Sequence, residues 1–354
     1  MNTDTNKLMP LADAVSRFIP DGAHLSIGGF TINRNPMAAV YEIIRQQKRH
    51  LHLYAHSNGQ GVDELVGAGC VDRIEIAYAG SGRFAPTCIR FRKAVELIET
   101  EPGCVDDNFL ADVLINWGRV YLYRTDFRAL GILLEPFLPR MEALGDRRRL
   151  SLILSWLALS RVFSGHGKIA KPLLERALAI ADEIGDPECI GMAGRSLVWL
   201  YVCWIPDNVQ SEAMVRHYYN RTLESAEEAN DIVAMTGAAV ARCLHERWRG
   251  RFPEARSFSA KLVEIGQRFH DTRSLSYAQW TLGFVNIYEE RYQEALENAE
   301  QSLQLSPDLL DELCALGVKG VALSFTGRVS EGLEIVSKVR KDVIQTDFLP
   351  LLLG

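Results

Sequence analysis

The sequence lacks the features by which membrane-spanning, secreted and disulfide-stabilised proteins are recognised. No run of 18 consecutive apolar residues occurs in the 354-residue chain, so no segment is predicted to cross a membrane. The N-terminus is polar and does not show the basic and then apolar order of a signal peptide. The 7 cysteines are scattered without a Cys-x-x-Cys pair, which predicts reduced thiols in a cytoplasmic protein rather than disulfides or a zinc site.

A strong positive charge is also missing. Residues 1–96 have a net charge of +2 and residues 97–354 one of −8, which together give the −6 of the whole chain. Because neutralisation of phosphates dominates nucleic-acid affinity, the acidic second part is a poor nucleic-acid binder. The mildly basic first part suits an anionic small molecule. An apolar content of 47% excludes general disorder, and the length predicts two domains.

Strands alternate with helices in residues 1–96, which predicts a partial α/β fold with a parallel sheet. A loop rich in glycine or small polar residues follows each strand, and ligands bind at such loops in parallel sheets. The predicted strands are Ala23–Ile27, Leu51–Ala55 and Ile74–Tyr78, and the predicted helices are Leu11–Phe18, Met37–Arg45, Val62–Val66 and Phe91–Ile98.

Several short motifs of this first part occur in an order that carries a resemblance. They are Asp21-Gly22, Ser26-Ile27-Gly28-Gly29-Phe30, Arg34-x-Pro36, Ala39–Arg45, the loop Ser57–Gly61 and the basic run Arg90-Phe91-Arg92-Lys93. From about Met9 to Glu96 the chain resembles the start of the alpha subunit of family I coenzyme A transferases, the glutaconate and 3-oxoacid group. The resemblance implies an open α/β domain that binds an acyl-CoA or its carboxylic acid, with coenzyme A as a substrate and no separate cofactor.

The resemblance also implies which residues meet the ligand. In the family, the glycine turn offers backbone N–H groups near the thioester oxygen, and Gly28 and Gly29 would fill that role here. The implied substrate and CoA-binding residues are Gly28, Gly29, Phe30, Arg34, Ser57, Gly59 and Arg92. Without the resemblance, the two glycines would form an ordinary strand-to-helix turn, and the basic run would be a solvated helix face.

Two departures from the family limit what is expected of this chain. The family's alpha unit continues as α/β structure far beyond this point, whereas this chain turns helical, so the segment is interpreted as truncated. The family's catalytic glutamate belongs to a beta unit, and no replacement lies on a small-residue loop: Glu42, Glu64, Glu75 and Glu96 fall within helix or strand patterns. No catalytic residue is therefore predicted, and activity is expected only with a beta-type partner.

Three histidines, His50, His52 and His56, are separated by even numbers of residues on or beside one predicted strand, so they would lie on the same face of it. Such spacing could present ligands to a metal ion. The alternative is a strand end with polar partners. We adopt this alternative, so no metal site is predicted.

From residue 105 to 354 the chain has the pattern of a series of helix pairs. A motif of the type Gly-Arg-Phe-x-Glu-Ala recurs at the start of alternate predicted helices, at 125–130, 167–174, 250–255, 290–296 and 327–333. Between pairs, turns recur at intervals of about 40 residues, as Gly145-Asp146, Gly185-Asp186, Asn230-Asp231, His270-Asp271 and Ser306-Pro307-Asp308. The pattern resembles tetratricopeptide repeats and predicts an all-α solenoid of about five helix pairs, joined to the α/β segment at 97–104.

This helical part shows no catalytic motif: it contains no G-x-x-x-x-G-K-[ST], no H-E-x-x-H and no G-x-S-x-G. Repeats of this kind bind peptides or hold partner proteins, and this long variant resembles the helical tails of large bacterial regulators. Trp156, Trp199 and Trp280 are predicted to be core residues, with a peptide-binding concave face as the alternative.

Three functions of different classes stay open on the sequence. The first is a CoA-transferase-like subunit that needs a beta-type partner. The second is a repeat scaffold that binds a protein or peptide, in which the α/β piece is an inactive ligand sensor or a relic. The third is a fusion made by gene rearrangement, with its break near Glu96 and no function at the junction.

Overall fold

The computed structural model describes residues 8–31, 33–80, 106–205, 209–305 and 309–345. The chain divides into two compact units, Met1–Asp106 and Asp107–Gly354. The predicted helix Phe91–Ile98 and the predicted junction at 97–104 lie outside the described residues. None of the helices in the described parts combines the length and the apolar character that crossing a bilayer requires.

The first unit is a small parallel sheet with helices, which confirms the predicted α/β segment. Its described elements are α1 (Leu11–Phe18), β1 (His24–Ser26), β2 (Phe30–Thr31), α2 (Met37–Arg45), β3 (Leu51–Asn58), α3 (Gln60–Gly67) and β4 (Val71–Tyr78). Strand β3 is central: β1 and β2 pair with one of its edges and β4 with the other, and every pairing is parallel.

Strands β1 and β2 are two parts of one edge row. Ser26 lies opposite Tyr54, and Phe30 lies opposite Ser57. The chain therefore advances four residues from Ser26 to Phe30 while β3 advances three. One extra residue is accommodated between them, at Ile27-Gly28-Gly29, as in a β-bulge. The bulge bends the chain where β1 ends.

The core of the first unit lies on one face of the sheet. Strand order follows chain order, and right-handed crossovers then place α2 and α3 on the same face. Alternate residues of β3 point into this core, and the three helices contribute the rest. The buried cluster includes Val15, Val40, Ile43, Leu51, Leu53, Ala55, Val62 and Leu65. The glycine bulge therefore sits at the end of a well-packed layer.

The second unit is helical throughout its described residues, which confirms the predicted solenoid class. Its helices are α4 (Asp107–Arg124), α5 (Phe127–Leu134), α6 (Leu138–Leu144), α7 (Arg147–Phe163), α8 (Gly167–Ile184), α9 (Pro187–Cys203), α10 (Val209–Ala229), α11 (Ile232–Trp248), α12 (Phe252–Phe269), α13 (Thr272–Tyr288), α14 (Tyr292–Leu305), α15 (Leu309–Phe325) and α16 (Val329–Gln345). From α7 onward, consecutive helices pack as five hairpins, and the first helix of each hairpin packs on the first helix of the next.

Within the described residues, a two-residue turn of one chemistry precedes α7, α9, α11 and α13, the first helices of four hairpins. A residue in the left-handed region ends one helix, and an aspartate caps the next. Gly145 has φ 74°, and the carboxylate of Asp146 accepts a hydrogen bond from the Arg149 N–H at 2.9 Å. Asn230 and His270 take the left-handed position with φ 53°. The same cap is made by Asp126, Asp186, Asp231 and Asp271. The repeated Gly-Asp signal is thus a helix stop followed by a helix start.

Helices pack closely where small residues meet a neighbouring helix. A Cβ atom on Gly118 would lie 2.4 Å from the Trp156 ring, so only glycine fits there. Several alanines of the helical unit are fully buried, namely Ala170, Ala177, Ala255, Ala295 and Ala299. Trp156, Trp199 and Trp280 are buried, as predicted for core residues.

A buried charge cluster ties α10, α11 and the start of α12 together. Glu246 is 1% exposed and forms ion pairs with Arg242 and Arg251. Burial alone would raise the pKa of Glu246, but a hydrogen bond with His245 and the charges of Arg242 and Arg251 hold the pKa below its usual value. Arg251 also pairs with Glu212 of α10 at 2.7 Å. One carboxylate therefore holds the ends of adjacent helices in place.

We expect Glu246→Gln to lower the free energy of unfolding by about 3 kcal/mol, because it leaves the buried Arg242 guanidinium without its carboxylate partner. Urea unfolding followed by circular dichroism measures the loss. The folded pKa lies below the unfolded one, so this stabilisation is present above the unfolded pKa and is lost as pH falls through the folded pKa. The difference between variant and wild type should therefore shrink in acid.

The matched control is Glu294→Gln, which removes the same charge from a half-exposed side chain 3.6 Å from Arg291. It should change the free energy of unfolding by less than about 0.5 kcal/mol. Equal effects of the two substitutions would show that the buried cluster does not stabilise the array.

Candidate functional site

The carboxyl ends of the parallel strands form the candidate site. Strand β1 ends at Ser26, β3 at Asn58 and β4 at Tyr78. Because the strands are parallel, the loops that follow them lie along one edge of the sheet, where open α/β sheets bind their ligands. Two of these loops contain residues predicted to bind the ligand.

The turn after β1 requires glycine at one position and leaves space at the other. Gly29 has φ 114°, and a Cβ atom there would lie 2.1 Å from Asn35 Oδ1. Around Gly28, by contrast, a Cβ atom would meet nothing within 4 Å. Beyond the glycines, Phe30 and Asn33 exchange backbone hydrogen bonds of 2.8 and 2.7 Å, which fix the far side of the turn.

A buried asparagine holds this turn against the end of β3. Asn58 is fully buried, and its Nδ2 donates to the carbonyl oxygen of Gly28 at 2.9 Å. Its Oδ1 accepts from the N–H of Val62 in the first turn of α3 at 3.2 Å. One side chain thus connects the end of β1, the end of β3 and the start of α3. The ligand-binding residues predicted from the sequence did not include Asn58, although a polar residue that ends a buried strand was a usable signal.

The asparagine also fixes the direction in which the glycine turn presents its backbone. In a trans peptide the C=O of Gly28 and the N–H of Gly29 point in opposite directions, so the N–H points away from Asn58. Neither Gly28 nor Gly29 donates its backbone N–H to another group in the described part of the chain. Two such donors can bind an oxygen that carries negative charge.

The other predicted binding residues occupy different positions around this edge. Phe30 is 61% exposed and pairs with Ser57, whose Oγ lies 3.1 Å from His56 Nδ1. Gly59 precedes α3, and its carbonyl accepts from the Asp63 N–H at 3.0 Å. Arg34 is exposed with φ 57° in the loop between the glycines and α2. Arg92 lies outside the described residues. The structure therefore brings Gly28, Gly29, Phe30, Ser57 and Gly59 to one edge.

Two of the glutamates considered from the sequence already have ionic partners. A side-chain hydrogen bond from Arg45 lowers the pKa of Glu42 to about 2, which keeps this carboxylate ionised on the surface of α2. Glu75 of β4 lies 2.8 Å from His52 and 3.2 Å from Arg73. Glu96 lies outside the described residues. The geometry of Glu42 and Glu75 is that of ion pairs.

The histidines of the first unit contact other side chains of the sheet. The rings of His24 and His52 stack at 4.0 Å, and His50 Nδ1 lies 2.8 Å from Asp72 Oδ2. Within the described ranges, no three His, Cys, Asp or Glu side chains are placed so that they could hold a metal ion.

Comparison with known proteins supports the assignment of the first segment. Residues 8–97 match the family model for coenzyme A transferase. Over 91 residues the chain is 36% identical to the A-type subunit of glutaconate CoA-transferase from Acidaminococcus fermentans, a match that covers 26% of this chain and 28% of the relative. Over 90 residues it is 39% identical to the A-type subunit of 3-oxoadipate CoA-transferase from Pseudomonas knackmussii, with 25% and 31% covered. The resemblance inferred from the motifs is confirmed for this segment.

A third relative extends over more of the chain. An uncharacterized protein of Archaeoglobus fulgidus is 31% identical over 141 residues, which are 40% of this chain and 28% of the relative. The chain thus spans about three tenths of the length of the curated relatives that it matches.

The helical part has a structural neighbour. The crystal structure of NprR in complex with its cognate peptide NprX covers 73% of this chain and 74% of its own, with a TM-score of 0.50 and 15% identity. At this identity the likeness concerns the fold alone, and it confirms a helical array of the tetratricopeptide type.

We expect Gly28→Ala to weaken acetyl-CoA binding at least about tenfold while the free energy of unfolding changes by less than about 0.5 kcal/mol. The added methyl group would occupy open space where the ligand should lie, without meeting protein atoms. Gly29→Ala, unlike Gly28→Ala, should lower the free energy of unfolding, by about 1–3 kcal/mol, because alanine is strained at the positive φ of this position. Isothermal titration calorimetry and urea unfolding separate the two effects.

The control is His52→Ala, which removes a ring that stacks on His24. It should leave the affinity for acetyl-CoA unchanged. A larger loss of affinity in His52→Ala than in Gly28→Ala would move the ligand away from the glycine turn.

Proposed function

We propose that the first unit binds an acyl-CoA or its carboxylic acid at the carboxyl ends of β1 and β3. The observation that carries this proposal is the contact of Asn58 with the Gly28 carbonyl, which turns the Gly29 N–H away from Asn58. Within the described residues the N–H groups of Gly28 and Gly29 donate to no other group, and a Cβ atom on Gly28 would meet nothing within 4 Å. The thioester oxygen, or the tetrahedral oxyanion that forms from it, would accept hydrogen bonds from these donors. Phe30 and Ser57 would form the adjoining wall, and Arg34 would meet the negative charges of the ligand.

The chain would act as the alpha-type part of a CoA-transferase and would need a beta-type subunit to supply the glutamate nucleophile. The similarity to individual subunits of two CoA-transferases supports this partner. The ion pairs of Glu42 and Glu75 also favour a nucleophile from outside, since a carboxylate fixed in an ion pair away from the glycine turn is poorly placed to attack a thioester.

The helical array would act as a scaffold that holds a protein or peptide partner in the cytoplasm. Its structural neighbour is a protein solved with its cognate peptide, and the described cysteines are free thiols, as in cytoplasmic proteins. The second candidate function is that of a scaffold alone, with the α/β piece a relic or a product of gene rearrangement. The engaged carboxylates of the first unit also agree with this alternative.

We expect the purified chain to bind acetyl-CoA but to transfer no CoA to glutaconate, acetate or 3-oxoadipate, because it lacks a positioned nucleophile. Transfer should appear when a beta-type CoA-transferase subunit is added. Mass spectrometry of the acyl-CoA products measures transfer, and size-exclusion chromatography measures complex formation.

Two outcomes would decide against this proposal. Turnover by the chain alone that disappears on a Glu→Gln change within residues 1–96 would show that the nucleophile is internal. Failure to bind acetyl-CoA at all would leave the scaffold as the better account.

A further inference from the structure

The helical array contains a cavity of about 190 Å³. Its walls come from the first helices of successive hairpins, α7, α9, α11 and α13, with α4, α5 and α15 at its ends. Most of the side chains that face it are apolar or aromatic. The cavity thus runs through the interior of the array.

Two helices that are distant in sequence meet beside this cavity. Helix α4 contacts α15, although ten helices separate them along the chain. Leu122 of α4 and Leu310 of α15 both line the cavity, so these two helices bound it on the same side. A volume of about 190 Å³ suits a small molecule rather than an extended peptide.

The cavity wall carries more positive than negative charge. Two guanidinium groups, those of Arg195 and Arg273, face it together with the single carboxylate of Asp271. The Asp271 carboxylate caps α13 by accepting from the Ser274 N–H at 2.9 Å, and Arg273 lies 3.9 Å from Asp311. Because Asp311 lies beside Arg273, Arg195 is the guanidinium of the lining that would bind an anion.

Arg195 is held in place as part of the wall. It is 2% exposed, and its guanidinium lies 5.1 Å from the Trp156 ring centroid. Gly237 of α11 makes room for it, since a Cβ atom there would lie 2.7 Å from Arg195 Cδ. A buried guanidinium in a fixed place is suited to bind a carboxylate through charge-assisted hydrogen bonds.

Aromatic rings also line the cavity. Phe163 packs against Trp199 with ring centroids 5.1 Å apart, and Tyr277 packs against Trp280 at 5.6 Å on the other wall. Apolar cavities of about 150 Å³ accept a benzene ring. A slightly larger cavity with one polar anchor would take a ring or a branched chain that ends in a carboxylate.

We propose that this cavity is a binding site for a small carboxylic acid with an aromatic or branched apolar body. The carboxylate pairs with Arg195, and the apolar body lies against Phe163 and Trp199. This site is separate from the glycine turn of the first unit, and its occupancy does not depend on CoA-transferase chemistry.

Tryptophan fluorescence of the full chain tests the proposal. All 6 tryptophans lie beyond residue 105, so the signal reports on the helical unit and not on the first one. Phenylacetate and 4-methylpentanoate are titrated against the corresponding amides, which keep the shape and lack the charge. At least one acid should bind, and its amide should bind at least about tenfold more weakly.

Two variants locate the site. Arg195→Gln removes the charge and should weaken binding of the acid to the level of the amide. Val233→Phe keeps every charge, fills the cavity from α11 and should abolish binding while circular dichroism stays unchanged. The control Ile169→Ala alters a side chain of α8 that is 56% exposed and should leave binding unchanged.

Three results would overturn the proposal. The first is no saturation by either acid up to about 10 mM. The second is equal affinity for acid and amide. The third is binding that survives in folded Val233→Phe, which would place the ligand elsewhere. Because Val233→Phe leaves Arg195 in place, the test does not depend on the stability of the Arg195 variant.

Discussion

The side chain of Asn58 is the contact on which the candidate site depends. It is fully buried, donates to the Gly28 carbonyl and accepts from the Val62 N–H, so it joins two strand ends to a helix start. A buried amide is stable only when its hydrogen bonds are made, so the three segments are positioned together. The direction of the Gly29 N–H follows from this contact, and with it the chemistry that the turn can perform.

The helical unit is built on a different principle, in which each hairpin depends on its neighbours. The left-handed residue and the aspartate cap set the chain reversal between hairpins, and small residues such as Gly118 set the distance between helices. Stability in such arrays is the sum of many local terms. Strongly buried groups such as Glu246 then serve to fix the register of helix ends, and a cavity between the inner helices can persist without loss of the fold.

Much of this architecture could be predicted from the sequence, because its signals are local. The strand predicted at Leu51–Ala55 lies within β3, and the recurring Gly-Asp turn indicated the helix boundaries. The strand β2 was not predicted, because two residues after a glycine pair form a strand only by pairing with the end of β3. The interval between Asp186 and Asp231 is 45 residues, longer than the usual interval of about 40, because α10 has 21 residues. Helix α10 does not begin with the repeat motif.

The site was predictable only in part, because some of its contacts join residues that are far apart in the sequence. The glycines were visible as a turn, and the resemblance to CoA-transferases gave them a role. The partner of the Gly28 carbonyl is 30 residues away in sequence, and no local pattern connects the two. In the cavity, the contact between Gly237 and Arg195 joins two helices of different hairpins and is likewise a product of tertiary packing.

Hydrogen–deuterium exchange of the full chain, with and without acetyl-CoA, tests the central claim most directly. The account predicts that β3 is protected in the free chain and that the ligand slows exchange in residues 27–36 and 57–62, while the helices from 107 to 345 do not change. Rapid exchange throughout residues 20–80 of the free chain, or protection by acetyl-CoA confined to the helical unit, would contradict it.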